Sequence, residues 1–412
     1  MSGKTVLILG GGVGGIVAAN ALRQQLKPEY RVIVIDKNIH HAFAPSFLWV
    51  MVGARKPKQA ATDLRRLLKP GVELVQAEVS RIDAAAQKVE AGGREWAYDY
   101  LIVALGAALN PEAVPGLAQA AHTSYTLEGA ARLWEAVKRF PKGRVAVVVA
   151  RLPYKCPAAP YETALLLEAA LRNLGSRDRV QLDIYTPELL PMPSAGPEVG
   201  SRLKTMLEAR GIGFHPNLKL GSVNLETEEL LFEDAPKIPY DLLVAVPPHQ
   251  SPAVVRESGL ANETGWIPVD PKTLKTKHQN VYALGDVALI SLPGRYKPDV
   301  PLTLPKAGVF AHLQAEVIAH NIAAELEGKA ADAAFDGYGY CFVELGYGQA
   351  AIGAGNFYAV PAPKVDLRPP GRLWHLGKVL FEQYWLASGP ARRLWKTLMV
   401  LGGKSTGLEV KL

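Results

Sequence analysis

The chain has 412 residues, of which 49% are apolar and 21% charged, so it is an ordered globular protein long enough for two or three domains. Its formal net charge of +7 comes mostly from residues 371–412, which contain seven basic and two acidic residues. Because the rest of the chain is nearly balanced, this distribution argues against a nucleic-acid-binding protein, whose basic patch would lie on the folded domain.

We expect no signal peptide or membrane-spanning segment in this sequence. It begins almost directly with an apolar strand, and no apolar run has the length of a membrane-spanning helix, which predicts a protein made and kept in the cytoplasm. Only two cysteines occur, Cys156 and Cys341. They are too few to cross-link a chain of this size, so they are either two buried thiols or functional groups, and we expect no metal site.

The most informative stretch covers residues 5–36. An apolar run at 6–9 predicts a buried parallel strand, and it leads into the sequence GGGVGG at 10–15. A helical apolar pattern follows, and then a second strand at 31–35 stops at Asp36. This order predicts a βαβ unit with a dinucleotide-binding turn; the alternative is a glycine-rich turn in another kind of α/β protein.

The glycines of this turn have separate physical roles. Gly10 permits the tight turn, Gly12 lets the backbone approach a pyrophosphate, and Gly15 lets helix and strand pack closely. The pyrophosphate would lie at the helix N-terminus, where free N–H groups and the helix dipole favour an anion. Asp36 is predicted to bond to a ribose hydroxyl, and the adjacent Lys37 is assigned to the same cofactor site.

Two later strands also end in glycine. The strand at 98–105 runs into Gly106, which by fold analogy with flavoproteins that have two dinucleotide-binding modules would close the first module beneath the cofactor. The strand that begins at Val281 ends in Gly285 and Asp286. Asp286 either bonds to a ribityl hydroxyl or is an ordinary helix N-cap.

Lys306, Ala307 and Gly308 open a predicted helix that extends to about Leu326. Its N-terminus, with a lysine beside it, suits the negative charge that a flavin ring develops on reduction. We therefore assign these three residues to the cofactor site. The alternative for Lys306 is a surface lysine.

A second βαβ unit is predicted from strands at 144–150 and 180–185 with a helix at 161–174 between them. Its turn, residues 151–162, contains three prolines and no glycine, so it cannot form a pyrophosphate cradle. Cys156 lies in this turn instead. The module that would bind a pyridine nucleotide is therefore predicted to have lost that ability.

The tail combines aromatic, apolar and basic residues. Residues 374–385 and 392–399 have helical runs in which Trp, Leu, Lys and Arg are interleaved, a pattern that suits a membrane interface. The alternative is a C-terminal helical hairpin packed on the body or on a second subunit. Just before the tail, Cys341 lies in an aromatic, strand-like setting, which taken alone favours a core thiol.

Together these motifs resemble those of the sulfide:quinone oxidoreductase family, a relative of the flavoprotein subunit of flavocytochrome c sulfide dehydrogenase. The resemblance covers nearly the whole chain. The segments that carry it are PYKCP at 153–157, PPH at 247–249, YALGD at 282–286, PKAGVF at 305–310 and GYCF at 339–342.

The resemblance implies FAD as cofactor, sulfide as substrate, membrane quinone as acceptor and a redox-active Cys156–Cys341 pair. Hydrosulfide would attack the disulfide to leave a persulfide on one cysteine and a thiolate on the other, and such a thiolate needs a depressed pKa. Glu162 is either an acid/base group or a solvated first-turn glutamate. By family position the residues expected to flank the quinone ring are aromatic: Phe342, Phe381 and Tyr384.

One departure concerns a third cysteine that many family members have before the second module. Here residues 122–126 read HTSYT, so a flavin linkage through that position is excluded. The rival functions are an NADH:quinone reductase, which requires a second glycine turn, a sulfide dehydrogenase that passes electrons to a cytochrome, and a flavin-binding interaction module without turnover. The paired cysteines disfavour the last.

The predicted fold class is α/β, with two Rossmann-like modules and a membrane-associating helical tail. We expect an FAD-binding domain at 1–110 and 261–330, a second module without a nucleotide fingerprint at 111–260, and a C-terminal region at 331–412. The expected location is the cytoplasmic side of the cell membrane, as a peripheral protein. A homo-oligomer is compatible with the sequence.

Overall fold

The computed structural model describes residues 3–412. In chain order the strands are β1 (Thr5–Leu9), β2 (Arg31–Asp36), β3 (His40–Ala42), β4 (Ala61–Asp63), β5 (Val72–Gln76), β6 (Val79–Asp83), β7 (Lys88–Ala91), β8 (Arg94–Ala97), β9 (Tyr100–Val103), β10 (Ala108–Leu109), β11 (Gly143–Val149), β12 (Val180–Tyr185), β13 (Ile212–His215), β14 (Leu220–Asn224), β15 (Glu229–Phe232), β16 (Ile238–Pro239), β17 (Leu242–Val246), β18 (His249–Gln250), β19 (Ile267–Pro268), β20 (Val281–Ala283), β21 (Ala288–Leu289), β22 (Tyr338–Gly346), β23 (Gln349–Asn356) and β24 (Lys364–Gly371). The helices are α1 (Val13–Gln25), α2 (Phe47–Val50), α3 (Leu117–Ala120), α4 (Leu127–Val137), α5 (Ala159–Asn173), α6 (Pro197–Glu208), α7 (Ala253–Glu257), α8 (Gly308–Leu326), α9 (Arg372–Leu386) and α10 (Gly389–Thr406).

The first module is a parallel sheet of five strands in the order β20-β9-β1-β2-β5. Strands β1 and β2 run side by side, with Leu7 opposite Ile33, and their apolar residues are buried on both faces of the sheet. Strand β20 joins this sheet from far along the chain and brings Gly285 and Asp286 to the edge where β1 ends. Strands β6, β7 and β8 form a separate antiparallel meander.

The second module repeats this plan with an unrelated sequence. Its parallel sheet has the order β13-β12-β11-β17, α5 makes the crossover from β11 to β12, and β14, β15 and β16 form a second meander. The predicted α/β class with two Rossmann-like modules is confirmed. The carboxyl end of β11 leads directly into the turn that contains Cys156.

The C-terminal region begins with the antiparallel sheet β22-β23-β24 and ends with α9 and α10. Strand β22 packs against α5, and α9 packs against β23, so the sheet lies between the second module and the tail. Helix α9 buries Lys378, Glu382 and Trp385, whereas α10 leaves several leucines exposed. Within residues 3–412, no helix is both long and apolar enough to cross a membrane.

Candidate functional site

A cavity of about 930 Å³ lies where both modules and the tail meet. Its walls come from the β1–α1 turn, the start of α8, the Cys156 turn, strand β22 and helix α9. This is the carboxyl end of the first parallel sheet, where ligands of open α/β folds bind. Of the two functional regions predicted from sequence, the glycine turn and the cysteine pair, both open onto this one cavity.

The glycine turn has the geometry that its sequence predicts. Gly10 has a φ of +104°, and a Cβ on Gly15 would lie 1.8 Å from the carbonyl oxygen of Gly10. A Cβ on Gly12 would have no atom within 4 Å, because this residue faces the cavity. No side chain caps α1 at Gly12, so the first N–H groups of the helix are free to bind an anion there.

Asp36 and Lys37 lie at the far end of the cavity. The Asp36 carboxylate accepts hydrogen bonds from the backbone N–H groups of Gly11 and Asn38, each at 2.6 Å. Two acceptor sites on each carboxylate oxygen leave room for a further donor such as a hydroxyl. The Lys37 ammonium instead pairs with Glu78 on the surface at 3.0 Å, so the structure directs its charge away from the cavity.

Gly106 and Gly285 both line the cavity in left-handed conformations, with φ of +67° and +68°. The Gly285 N–H donates to the Gln314 side chain at 2.8 Å, which holds the strand end in place. Asp286 also lines the cavity. Burial raises the pKa of Asp286, and the ammonium groups of Lys155 and Lys306 oppose that rise.

Lys306 is buried, so the alternative of a surface lysine is wrong. Its ammonium donates to the carbonyl oxygens of Asp286 at 2.6 Å and Ala288 at 3.2 Å and lies 3.6 Å from the centre of the Trp266 ring. Burial lowers the pKa of Lys306 to about 8, although Asp286 opposes the shift. The ammonium is therefore committed to holding the strand end.

The start of α8 forms the second anion-binding element of the cavity. Ala307 and Gly308 line it, and no side chain caps the helix. Two uncapped helix N-termini therefore open onto one elongated cavity with a carboxylate at its far end. This donor set fits a dinucleotide, with its pyrophosphate at Gly12 and a second electron-rich group at Gly308.

The two cysteines lie together in the same cavity, 185 positions apart in the sequence by their numbers. Cys156 has a φ of +56°, and its N–H donates to the Lys306 carbonyl oxygen at 2.7 Å. Both side chains are free thiols, and Cys341 donates to the Phe342 carbonyl oxygen at 3.4 Å. The neighbouring Cys341 thiol and burial raise the pKa of Cys156, so the polypeptide alone does not provide the depressed pKa expected of a thiolate.

Glu162 is buried one turn into α5, so the alternative of a solvated glutamate is wrong. Its Oε1 accepts from the Glu344 N–H at 2.7 Å and from the Lys378 ammonium at 2.8 Å. Burial opposes the charge of Lys378, but the carboxylates of Glu162 and Glu344 outweigh it and raise the pKa of this ammonium. The pair places one ammonium and one carboxylate near Cys156: Lys378 lowers the pKa of that thiol, and Glu162 raises it.

Of the three predicted quinone-binding residues, the structure brings two together. Phe342 and Phe381 line the cavity with ring centres 6.2 Å apart. Tyr384 is not one of the lining residues; its ring packs against Trp385 at 5.5 Å and carries the Arg392 guanidinium at 4.7 Å.

Sequence reasoning missed Lys378, Trp385 and Tyr125, which also line the cavity. Lys378, Phe381 and Trp385 follow the helical spacing i, i+3 and i+7, so this pattern could have identified one functional face of α9. Tyr125 has a buried hydroxyl without a partner among the described residues, and its electrostatic neighbours include Cys156. No local sequence signal marks it.

Known proteins resemble this chain over almost its whole length. The family model described as pyridine nucleotide-disulphide oxidoreductase matches residues 4–150 and 162–315. The mitochondrial sulfide:quinone oxidoreductase of Mus musculus is 26% identical over 369 residues, which cover 86% of this chain and 79% of that protein. The sulfide-quinone reductase of Aquifex aeolicus is 27% identical over 402 residues, covering 93% and 90%. The X-ray structure of the Aquifex aeolicus sulfide:quinone oxidoreductase superimposes with a TM-score of 0.83 at 25% identity, covering 93% of this chain and 90% of that one.

Proposed function

Because the chain belongs to the pyridine nucleotide-disulphide oxidoreductase family, we propose that it oxidises sulfide at the Cys156–Cys341 pair and reduces a membrane quinone. It is an FAD-dependent oxidoreductase. The observation that carries the proposal is that both free thiols line the same cavity as the glycine turn.

The chain's own residues fit FAD at this cavity. The pyrophosphate would bind the free N–H groups at Gly12, the ribose would bond to Asp36, and the ribityl chain would lie near Gly285 and Asp286. Bound FAD supplies a two-electron carrier between the sulfur site and the second substrate. The N–H groups at Ala307 and Gly308 would stabilise negative charge on its ring, while Lys306 holds the strand end.

The sulfur chemistry starts from the Cys156–Cys341 disulfide. Hydrosulfide attacks one sulfur, the bond between the two cysteines breaks, and a new sulfur–sulfur bond forms a persulfide on the attacked cysteine. The other cysteine leaves as a thiolate and carries the electron pair, so the substrate sulfur is oxidised to the sulfane level. A second hydrosulfide, or another nucleophilic acceptor, then attacks the outer sulfur and takes it away, as a polysulfide in the case of hydrosulfide, and the persulfide-bearing cysteine leaves as a thiolate. Restoring the disulfide from the two reduced cysteines releases two electrons, which is the acceptor chemistry that bound FAD would supply.

Lys378 supports this step. Its ammonium lowers the pKa of the Cys156 thiol, against the opposing effects of Cys341, burial and the Glu162 carboxylate. It is therefore placed to stabilise the thiolate that leaves during the attack. Glu162, held by Lys378 and by the Glu344 N–H, would serve as the acid/base partner.

The quinone is proposed to bind between Phe342 and Phe381, with Trp385 completing the aromatic wall. Tyr384 would act through its contact with Trp385. The outer surface of the tail fits a membrane, because exposed leucines lie there among basic residues. The exposed leucines are Leu373, Leu376, Leu394, Leu398 and Leu401. This surface would place the aromatic wall near the quinone pool, on the cytoplasmic side.

Two rival functions differ from this proposal, one in the electron donor and the other in the electron acceptor. An NADH:quinone reductase needs a phosphate-binding turn after β11, where this chain has the proline-containing Cys156 turn. A sulfide dehydrogenase that reduces a cytochrome would need neither the aromatic wall nor the apolar outer surface of the tail.

An anaerobic titration tests the proposal. Sulfide should bleach the flavin absorbance near about 450 nm, a quinone analogue should restore it, and NADH should have no effect. Cys156→Ser and Cys341→Ser should each slow the bleaching by about a hundredfold or more, because either change removes the disulfide that sulfide attacks. Bleaching of the wild type by NADH, or wild-type bleaching by sulfide in Cys156→Ser, would contradict the proposal.

A further inference from the structure

Glu188 is a buried acid that the mechanism above does not use. It lies just beyond strand β12, and its side chain is 4% exposed. The groups that face it are the hydroxyls of Tyr154, Tyr161 and Thr186, and within residues 3–412 no basic side chain pairs with it. Burying a carboxylate that has only hydroxyl groups as partners costs free energy of folding, so we expect this residue to fulfil a structural role.

The two tyrosines lie on either side of Cys156 in the sequence. The Tyr154 hydroxyl donates to Glu188 Oε2 at 2.9 Å, and the Tyr161 hydroxyl donates to the same oxygen. The Tyr154 hydroxyl also lies 3.3 Å from the Pro157 carbonyl oxygen. One carboxylate oxygen therefore joins the beginning of the Cys156 turn to the first turn of α5.

Within the Cys156 turn, the backbone of residues 153–158 needs such support. Cys156 has a left-handed φ of +56°, which is costly for a residue with a Cβ and persists only where the surroundings impose it. Two backbone hydrogen bonds hold Cys156. Its N–H donates to the Lys306 carbonyl oxygen, and its carbonyl oxygen accepts from the Ala159 N–H at 2.9 Å. The tyrosines hold the turn from the opposite side.

The position of Glu188 explains how this arrangement fits the fold. In a dinucleotide-binding module the acid after the second strand bonds to a ribose hydroxyl, and in the first module Asp36 occupies that position. Glu188 lies three positions beyond Tyr185, the last residue of the corresponding strand of the second module, and its carboxylate accepts hydrogen bonds from two tyrosyl hydroxyls.

We propose that Glu188 is a positioning residue for Cys156, because its bonds to Tyr154 and Tyr161 keep the Cys156 turn in the conformation that brings the two cysteines together. This inference rests on the proposed function for its catalytic meaning. It concerns the placement of the two cysteines relative to each other, which does not depend on substrate.

The thiol–disulfide equilibrium of the full-length FAD-loaded protein tests the inference directly. In a glutathione buffer, one oxidised glutathione converts the Cys156 and Cys341 thiols to a disulfide and yields two reduced glutathiones. Glu188→Ala should lower the equilibrium constant for the intramolecular disulfide by about tenfold, because the loosened turn lowers the effective concentration of one thiol at the other. Glu188→Gln, which keeps one acceptor oxygen, should lie between this variant and the wild type.

Asp183→Asn is the matched control. Asp183 is a buried acid on strand β12, and its bonding partners are the side chains of Gln181 at 2.8 Å and His215 at 3.2 Å, neither of which belongs to the cysteine turn. Its disulfide equilibrium constant should stay within about twofold of the wild type. If Glu188→Ala fails to fold, Tyr154→Phe and Tyr161→Phe each remove one hydroxyl, and each should lower the constant by about threefold.

A second measurement separates positioning from a general loss of structure. In Glu188→Gln, sulfide-dependent flavin bleaching should slow, while a quinone analogue should reoxidise dithionite-reduced flavin at the wild-type rate. Unchanged disulfide constants in Glu188→Gln and in both tyrosine variants would overturn the inference, as would equal slowing of both half-reactions. If wild-type flavin is not bleached by sulfide, the proposed function fails, while the disulfide constants still decide the role of Glu188.

Discussion

Glu162 and Lys378 form an ion pair at 2.8 Å across 216 positions of the chain, with side chains only 2% and 4% exposed. Glu162 belongs to the helix that follows Cys156, and Lys378 belongs to the tail. The pair therefore attaches the tail to the cysteine site. Deleting the residues beyond 370 would remove part of that site together with any membrane surface.

Lys378→Met should destabilise the protein strongly. It leaves the Glu162 carboxylate buried without its cation, and breaking a buried pair in this way typically costs about 3–5 kcal/mol. Urea unfolding followed by circular dichroism would measure the change. The double variant Glu162→Gln/Lys378→Met should recover much of the loss; a double variant less stable than Lys378→Met would contradict this account.

Two glycine substitutions should have separable effects. In Gly15→Ala the new Cβ would lie 1.8 Å from the Gly10 carbonyl oxygen, so the first module should lose stability by at least ~2 kcal/mol. In Gly12→Ala the Cβ meets no protein atom within 4 Å, so the apoprotein should keep its stability while FAD affinity falls. Thermal unfolding and flavin release during ultrafiltration would measure the two effects; unchanged flavin retention in Gly12→Ala would show that the cofactor does not approach this residue.

Leu394→Ser/Leu401→Ser should weaken binding to vesicles that contain anionic lipid. The two side chains are 55% and 57% exposed, and burying each in the membrane would contribute about 1.5–3 kcal/mol, so the double variant should bind at least about tenfold more weakly. Vesicle co-sedimentation would measure this.

The control for the tail is Leu174→Ser/Leu225→Ser, which removes two exposed leucines from the second module. It should leave vesicle binding unchanged. Both double variants should keep wild-type turnover with a water-soluble quinone analogue, and equal vesicle binding by the tail variant and the control would exclude α10 as the membrane surface.

Glu188 should make stability depend on pH in a defined direction. Burial raises its pKa from an ordinary 4.5 to about 7, so the folded state binds a proton that the unfolded state releases. The contribution of Glu188 to the free energy of unfolding is fully present below about pH 4.5 and is lost as the pH rises through about 7. The unfolding free energy of the wild type minus that of Glu188→Gln should therefore fall by up to about 3 kcal/mol over this interval.

Urea unfolding of both proteins at intervals from pH 4.5 to 8 would test this dependence. Asp183→Asn again serves as the control, since its difference from the wild type should not follow the same curve. A difference between wild type and Glu188→Gln that does not vary with pH would mean that Glu188 has an ordinary pKa and is not buried as described.

Local sequence patterns were enough to predict the cofactor-binding turn, the family resemblance and the absence of a second phosphate-binding turn. Strand, glycine turn, helix and second strand follow one another within residues 5–36, and each glycine has a steric role that needs no distant contact. The cysteine motifs predicted a resemblance to the sulfide:quinone oxidoreductases, and the curated relatives confirm it. The prolines after β11 likewise exclude a phosphate cradle without reference to the rest of the fold.

The sequence by itself determined the fold class, the dinucleotide turn, and the turn and strand in which the two cysteines lie. These features depend on periodicity and on the allowed conformations of glycine and proline. Only the tertiary structure decided that the Lys37 ammonium pairs with Glu78 and the Lys306 ammonium with backbone carbonyls, and that Tyr384 does not line the cavity. It also decided that Lys378 pairs with Glu162 and that Glu188 accepts from Tyr154. The physical reason is that burial and pairing of a charged or polar side chain depend on residues from other parts of the chain, and no local pattern specifies which of them it will meet.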